Sequence, residues 1–148
     1  MAMVLLAEDN EVAALFCKTV LEEMGHEVLV TDNVPEAIRI LNENDTIDMA
    51  LLDCRLLCGT GEDIAHHIKE SVWPRRSVRL PTILLLTAGD DVPMVEGALS
   101  MTKDEFREKL VRPQEAGGFD EIMLRPTLAI KETRQQAAAR SNVTALRL

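Results

Sequence analysis

The chain has 148 residues, of which 47% are hydrophobic and 28% charged, and this composition excludes an intrinsically disordered protein. Its formal net charge is −9, so it is a poor candidate for binding the phosphates of DNA or RNA. No apolar run reaches the roughly 18 residues of a membrane helix, and the first residues do not resemble a signal peptide, so we expect no membrane contact and a cytoplasmic location. The length suits a single domain over 1–148.

Short apolar runs alternate with helical patterns through the first half of the chain. The run at 3–7 predicts a strand buried on both faces, and Asn10 is placed to cap a helix over about 11–24. Large apolar side chains of that helix recur at helical spacing and share one face: Val12, Leu15, Phe16, Val20 and Met24. We expect this face to pack on the sheet.

The next elements continue the alternation. A second strand at 28–30 precedes a helix that begins near Pro35, and a third strand at 47–52 precedes a helix over 62–71. A fourth strand is predicted at 82–86. Strands that alternate with helices are typical of a parallel sheet in an α/β domain.

The C-terminal part of the chain is less regular. Segment 89–118 is long for a single connection, and 102–115 within it has the pattern of a helix that Pro113 ends or kinks. We place the fifth strand at 121–124 and a closing helix at 128–140. The segment 89–118 is therefore predicted to be an enlarged connection between the fourth and fifth strands.

Polar residues follow the predicted strands at the carboxyl edge of the sheet, where open parallel sheets bind their ligands. In chain order they are Glu8 and Asp9, Thr31 and Asp32, Asp53, Thr87 and Ala88, and Arg125 with Pro126. Repulsion among three clustered carboxylates favours a bound cation. Mg²⁺ is the natural choice because it prefers oxygen ligands.

Four pieces of the sequence, in this order, resemble the receiver domain of bacterial two-component response regulators. They are the acidic pair in VLLAEDN, the aspartate in MALLDCRL, the Thr-Ala in ILLLTAG and the basic residue with proline in AGGFDEIMLRP. The resemblance covers about 1–140. It implies a flavodoxin-like, doubly wound α/β fold, in which a five-stranded parallel sheet of order 2-1-3-4-5 is flanked by five helices.

The resemblance also implies a chemistry, in which Asp53 accepts a phosphoryl group from a histidine kinase or a histidine phosphotransfer protein. The implied Mg²⁺ ligands are Glu8 through a water molecule, Asp9, Asp53 and the backbone carbonyl of Arg55. The residues implied to contact the phosphoryl group or to sense it are Thr87, Ala88 and Arg125, followed by Pro126 as a candidate cis-proline. The domain would signal through its affinity for an unknown protein partner and would not be a turnover enzyme.

Two departures from the family pattern keep alternatives open. Arg125 stands where the family usually has lysine, and Ile122 stands where it often has an aromatic switch residue. A degenerate receiver that binds a protein independently of phosphorylation is therefore one alternative. A small Mg²⁺-dependent phosphohydrolase is another, which Arg55 disfavours because it occupies the place of a second acid. Since no output domain follows, we expect a stand-alone regulator or relay intermediate, unless the chain is part of a longer protein.

Overall fold

The computed structural model describes residues 1–76, 80–89 and 93–123. Its central sheet has five parallel strands, namely β1 (Met3–Ala7), β2 (Glu27–Thr31), β3 (Met49–Asp53), β4 (Thr82–Thr87) and β5 (Leu99–Thr102). The strands are hydrogen-bonded in the order β2-β1-β3-β4-β5. The predicted order 2-1-3-4-5 is therefore confirmed. Strands β3 and β4 are buried along their whole lengths, because helices cover both faces of the sheet.

Helices flank the sheet on both sides. They are α1 (Glu11–Glu23), α2 (Val34–Glu43), α3 (Gly61–His67) and α4 (Lys103–Val111), and residues 119–123 form a further helical segment. Helix α3 continues into a π-helical turn at Ile68–Val72 and a 3-10 turn at Trp73–Arg75. Counting 119–123, five helical segments of the described chain flank the sheet, as the resemblance implied. None of the helices in these described ranges is long and apolar enough to cross a membrane.

The helix ends follow local rules that the sequence shows. The side chain of Asn10 accepts a hydrogen bond from the backbone N–H of Ala13, which confirms the predicted cap of α1. Thr60 and Asp63 form a reciprocal capping box at the start of α3. Helix α4 ends at Val111, two residues before Pro113, as predicted.

The position of the fifth strand differs from the prediction. The strand predicted at 121–124 is wrong: residues 119–123 are helical, and Phe119, Ile122 and Met123 are buried against α1 and α4. Their spacing of three and four residues fits a helix. The real fifth strand, Leu99–Thr102, is a four-residue edge strand with only a short alternating pattern, and this pattern is too weak to stand out in the sequence.

The predicted enlargement between the fourth and fifth strands is therefore also wrong. The connection from β4 to β5 is 88–98, and most of the remaining segment forms β5 and α4. A parallel crossover usually needs a dozen or more residues and a helix. The described residues of this connection, 88–89 and 93–98, contain no helix.

Trp73 covers the part of the sheet beside this short connection. The indole is 5% exposed, and its Nε1–H donates to the carbonyl oxygen of Pro81 at 3.1 Å. Gly97, at φ +88°, lies directly against it: a Cβ there would be 2.8 Å from the indole Cη2. The π-helical and 3-10 turns after α3 bring this one large side chain to a place where a crossover helix would usually pack.

Helix α1 packs on the sheet through a narrow stripe of two small residues and one leucine. Ala14, Cys17 and Leu21 are its buried residues. Three of the apolar residues predicted to face the sheet instead point outward, with Val12 79%, Leu15 66% and Phe16 49% exposed. The expectation that this stripe packs on the sheet is therefore wrong for these three residues. The stripe of Ala14, Cys17 and Leu21 faces the sheet, and the stripe of Val12, Leu15 and Phe16 faces solvent.

Candidate functional site

Three carboxylates meet at the carboxyl edge of the sheet. Glu8 and Asp9 directly follow β1, and Asp53 is the last residue of the neighbouring strand β3. Because parallel neighbours end at the same edge, one oxygen from each carboxylate lies within 4.8 Å of the others. Glu8 and Asp53 are buried, at 7% and 6% exposure, whereas Asp9 is exposed. The structure thus brings together the three acids that the sequence singled out.

Backbone groups hold the two buried carboxylates in place. The N–H of Asn10 donates to Glu8 Oε1 at 3.1 Å, and the N–H of Arg55 donates to Asp53 Oδ1 at 3.4 Å. The start of α3 lies against the backbone of Asp53, since a Cβ on Gly61 would be 2.3 Å from the Asp53 carbonyl oxygen. Only glycine allows this approach, so Gly61 helps to set where Asp53 lies.

Lys103 supplies a cation to this cluster. It is the first residue of α4 and directly follows β5, and its Nζ lies 3.3 Å from Asp53 Oδ2 and 3.2 Å from Glu8 Oε2. The sequence analysis missed this lysine because β5 was not recognised and because Asp104, rather than a proline, follows it. The basic residue chosen instead, Arg125, lies outside the described residues together with Pro126.

The electrostatics of the cluster reflect its burial. Burial raises the pKa of Glu8 above its ordinary value, and the neighbouring Asp53 raises it further, against the opposing effects of the Asn10 N–H and Lys103. For Lys103 burial acts to lower the pKa, but the charges of Asp53 and Glu8 outweigh it and the net shift is upward. The ammonium group therefore stays protonated between carboxylates that repel each other.

Thr87 and Ala88 lie on the opposite side of Asp53 from β1. Thr87 ends β4, which pairs with β3, and its Oγ1 accepts a hydrogen bond from the N–H of Gly89 at 3.2 Å. The hydroxyl proton is thus available to a group bound in the cleft. The cleft has a volume of about 670 Å³ and is lined by Glu8, Asp9, Asn10, Asp53, Cys54, Arg55, Thr87, Ala88, Gly89 and Lys103.

Two other predicted positions have a different place in the structure. Thr31 donates a hydrogen bond to Glu36 at 2.9 Å and so supports α2. Ile122, predicted to occupy the switch position shortly before the basic residue, is buried in the helical segment 119–123, so that assignment is wrong. The residue on β5 shortly before Lys103 is Ser100, whose hydroxyl donates to the carbonyl oxygen of Pro93 at 2.6 Å.

Comparisons with known proteins agree with this architecture. The family model described as the response regulator receiver domain matches residues 4–116, which include Glu8, Asp53 and Lys103. A comparison with curated proteins finds no match.

Solved structures of the same fold include three receivers. A putative response regulator from Chloroflexus aurantiacus is 21% identical, with a TM-score of 0.64, over 82% of this chain and 97% of the other. The receiver domain of a Pseudomonas aeruginosa sensor histidine kinase, with a magnesium ion in its active-site cleft, is 24% identical, with a TM-score of 0.58, over 75% and 95%. The Ssk1 receiver of Saccharomyces cerevisiae, solved in complex with the histidine phosphotransfer protein Ypd1, is also similar. Its sequence identity is 23% and its TM-score 0.60, over 69% of this chain and 78% of the other.

These identities are below 25%, so the likeness to solved structures establishes the fold. The family model extends over most of the chain, and the strand order agrees with it. The chain belongs to the response regulator receiver domain family.

Proposed function

We propose that this chain is a response regulator receiver that accepts a phosphoryl group on Asp53 from a histidine kinase or a histidine phosphotransfer protein. Its output is a changed affinity for a protein partner that the structure does not identify. It acts as a regulator or relay intermediate in the cytoplasm and is not a turnover enzyme. The relatives that carry magnesium or bind a phosphotransfer protein support this reading by analogy.

The contact of Lys103 with Asp53 carries the proposal. A buried aspartate that is to act as a nucleophile needs a cation to offset the charge of an incoming phosphoryl group, and Lys103 Nζ is already 3.3 Å from Asp53 Oδ2. The expectation that an arginine serves this role is replaced here by a lysine. Lysine is a compact point charge, unlike the larger, planar guanidinium of arginine, and it is the residue that the family usually has at this position.

The carboxylate cluster fits a magnesium ion. One oxygen from each of Glu8, Asp9 and Asp53 lies within 4.8 Å of the others, and Mg²⁺ takes oxygen ligands and keeps several waters. We assign Asp9, Asp53 and the backbone carbonyl of Arg55 as ligands, with Glu8 acting through water. When bound, the ion neutralises negative charge on the transferring phosphoryl oxygens.

The other cleft residues then have separate tasks. The Thr87 hydroxyl donates to a phosphoryl oxygen while its own oxygen still accepts from Gly89. Ala88 has a side chain small enough to leave the approach to Asp53 open. Asp53 attacks phosphorus, the bond to the histidine nitrogen of the donor breaks, and Lys103 and Thr87 balance the charge of the resulting acyl phosphate.

Intact mass spectrometry after incubation with Mg²⁺ and a small-molecule phosphodonor tests the proposal. We expect one added phosphoryl group in the parent protein, none in Asp53→Asn, and a rate at least about tenfold lower in Lys103→Met. Lys18→Met is the matched control, because among the described residues Lys18 pairs with Glu22 on the exposed surface of α1. If Lys18→Met is labelled at the parental rate and Lys103→Met is labelled more slowly, the effect comes from the position of the Lys103 ammonium group and not from the loss of one positive charge.

The remaining alternatives predict other outcomes. A degenerate receiver that binds its partner independently of phosphorylation would show no labelling of Asp53, even from a phosphorylated histidine protein. A phosphohydrolase would release phosphate from an ester with turnover. The exposed side chain of Arg55 occupies the place of the second acid that such an enzyme needs, so we expect no turnover.

A further inference from the structure

An apolar groove lies between α1 and α4 on the surface of the described chain. Phe16 and Val20 of α1 face Leu110 and Val111 of α4 across it, and its volume is about 320 Å³. Phe16 and Val111 are 49% and 73% exposed. We call this feature the α1–α4 groove.

The exposed stripe of α1 widens this surface. Val12 and Leu15 are 79% and 66% exposed, and they are separated from Phe16 by four residues and one residue along the helix. The apolar surface therefore continues from the groove onto the outward side of α1. Single exposed apolar residues are common, but an apolar surface that continues over two elements indicates a docking surface.

The two ends of the α1–α4 groove carry opposite charges. Arg107 stands one helical turn before Val111 on α4 and, together with Phe16 and Lys103, lines a small cavity at the end nearer to the carboxylate cluster. Glu23, the last residue of α1, lines the other end. Arg107 and Glu23 are both exposed, and neither forms an ion pair with another described residue.

The direction of the two helices explains this arrangement. Helix α1 follows β1 and helix α4 follows β5, so both begin at the carboxyl edge of the sheet and run side by side away from it. Phe16 and Glu23 are seven residues apart, which corresponds to about 10 Å along the helix axis. A positive group, an apolar middle and a negative group therefore follow one another along the groove.

A surface with this order of charges is complementary to a copy of itself. A twofold axis that crosses the groove midway between Arg107 and Glu23, at right angles to the line joining them, places Arg107 of each protomer against Glu23 of its partner. Both ion pairs form together, because a twofold interface repeats each contact. Aromatic residues and arginine are also enriched in protein interfaces.

The charge of the whole chain makes this local match important. The formal net charge is −9, so two copies repel each other over most of their surfaces. A surface on which two copies can associate must therefore bring its own cation opposite an acid. Arg107 and Glu23 meet this condition at the two ends of one apolar groove.

We propose that the chain forms a twofold-symmetric dimer in which the α1–α4 grooves of two copies face each other, with Arg107 of each protomer paired with Glu23 of its partner. The apolar side chains of the two grooves, such as Phe16 and Val111, are then buried against each other. The inference goes beyond the proposed function and does not depend on phosphorylation of Asp53. A different protein on this surface is the competing occupant.

Molar mass as a function of protein concentration tests the dimer. Sedimentation equilibrium of the full chain up to about 1 mM detects even a weak association. We expect the parent to dimerise and Arg107→Glu and Glu23→Arg each to raise the dissociation constant at least about tenfold, because each reversal brings two pairs of like charges together. Arg39→Glu is the matched control, since Arg39 forms its ion pairs on the surface of α2.

A mixture of the two charge-reversal variants gives the sharpest test. When Arg107→Glu pairs with Glu23→Arg, the introduced glutamate meets the introduced arginine at one contact, and the unchanged Glu23 meets the unchanged Arg107 at the other. We therefore expect the mixture to dimerise within about threefold of the parental affinity, although each variant alone does so poorly. Association in the mixture also shows that both variants are folded.

Three results would overturn the proposal. The first is a parent protein that stays monomeric over the whole concentration range, which would leave the groove to a different protein. The second is a dimer that neither Arg107→Glu nor Glu23→Arg weakens. The third is a mixture of these two variants that associates no better than either alone. Since no phosphodonor is used, failure here leaves the phosphorylation result for Asp53 intact.

Discussion

The two faces of the sheet are covered by different means. On one face α2 and α3 are followed by the turns that bring in Trp73, and a single buried indole covers the region beside the short connection 88–98. On the other face α1 packs through Ala14, Cys17 and Leu21, while its large apolar side chains Val12, Leu15 and Phe16 are exposed. Both faces have a buried apolar cluster, and on the second face α1 in addition exposes a stripe of large apolar side chains.

Truncation of the Trp73 side chain should have the largest effect on the free energy of unfolding. We expect Trp73→Ala to lower the free energy of unfolding by about 3–5 kcal/mol, because it opens a cavity that Gly97 and Val95 cannot fill. Phe16→Ala on the other face should change it by no more than about 0.5 kcal/mol, since that ring is half exposed. Urea unfolding of both variants measures the contrast. Equal losses would show that the two aromatic side chains are buried alike.

Substitution of Gly61, at the start of α3, should have the next largest effect on the free energy of unfolding. In Gly61→Ala the new methyl group meets the carbonyl oxygen of Asp53, and we expect a loss of about 1–3 kcal/mol together with a displaced Asp53. Gly89→Ala is the control for the loss of stability only, because a Cβ there has open space around it whereas Gly89 also lines the cleft. Chemical denaturation measures the loss, and slower labelling of Asp53 from a small phosphodonor would report the displacement. A parental labelling rate in Gly61→Ala would contradict the idea that this close approach sets where Asp53 lies.

Removal of the hydroxyl groups of Ser100 and Thr19 should give a smaller difference in the free energy of unfolding. Ser100 fixes β5 to Pro93 of the connection through a 2.6 Å hydrogen bond, so Ser100→Ala should cost about 1 kcal/mol. Thr19 bonds to the Leu15 carbonyl on the exposed surface of α1, and Thr19→Ala should be nearly neutral because alanine is the better helix former. Denaturant midpoints of both variants give the comparison. A neutral Ser100→Ala would show that this hydrogen bond does not stabilise the protein.

The interior strands of the sheet could be predicted from the sequence, whereas the edge strand could not. Strands buried on both faces, such as β3, appear as continuous apolar runs, and parallel ends then bring Glu8, Asp9, Asp53 and Thr87 to one edge. The edge strand β5 has one neighbour and four residues, so its pattern is short, and Lys103 was missed with it.

The spacing of apolar residues in α1 did not predict which face of the helix is buried, and the reason is different. Ala14 and Cys17 lie on one side of the helix and Leu15 and Phe16 on the other, and hydrophobicity alone favours the larger pair. Close packing against the sheet favours the smaller pair, which is a tertiary effect.

The smallest expected effect concerns His26, which lies where the second face meets the start of β1. Nδ1 of its ring accepts a hydrogen bond from the Ala2 N–H at 3.0 Å, which only the unprotonated nitrogen can do. Burial lowers the pKa of His26 below its ordinary value of 6.5, as does the nearby N-terminal amino group, and Asp120 and Asp48 oppose them. Between the folded and unfolded pKa values the unfolded chain therefore binds more protons.

It follows that the contribution of His26 to stability is complete above about pH 6.5 and is lost as the pH falls from there through the folded pKa. We expect the free energy of unfolding of the parent to decrease over this window more steeply than that of His26→Gln, whose amide oxygen can still accept a hydrogen bond at every pH. Urea titrations between pH 8 and pH 5 measure the two slopes. Because the ring is partly solvated, the difference should be smaller than the effect of Ser100→Ala, and identical slopes would exclude a pH-dependent contact at this junction.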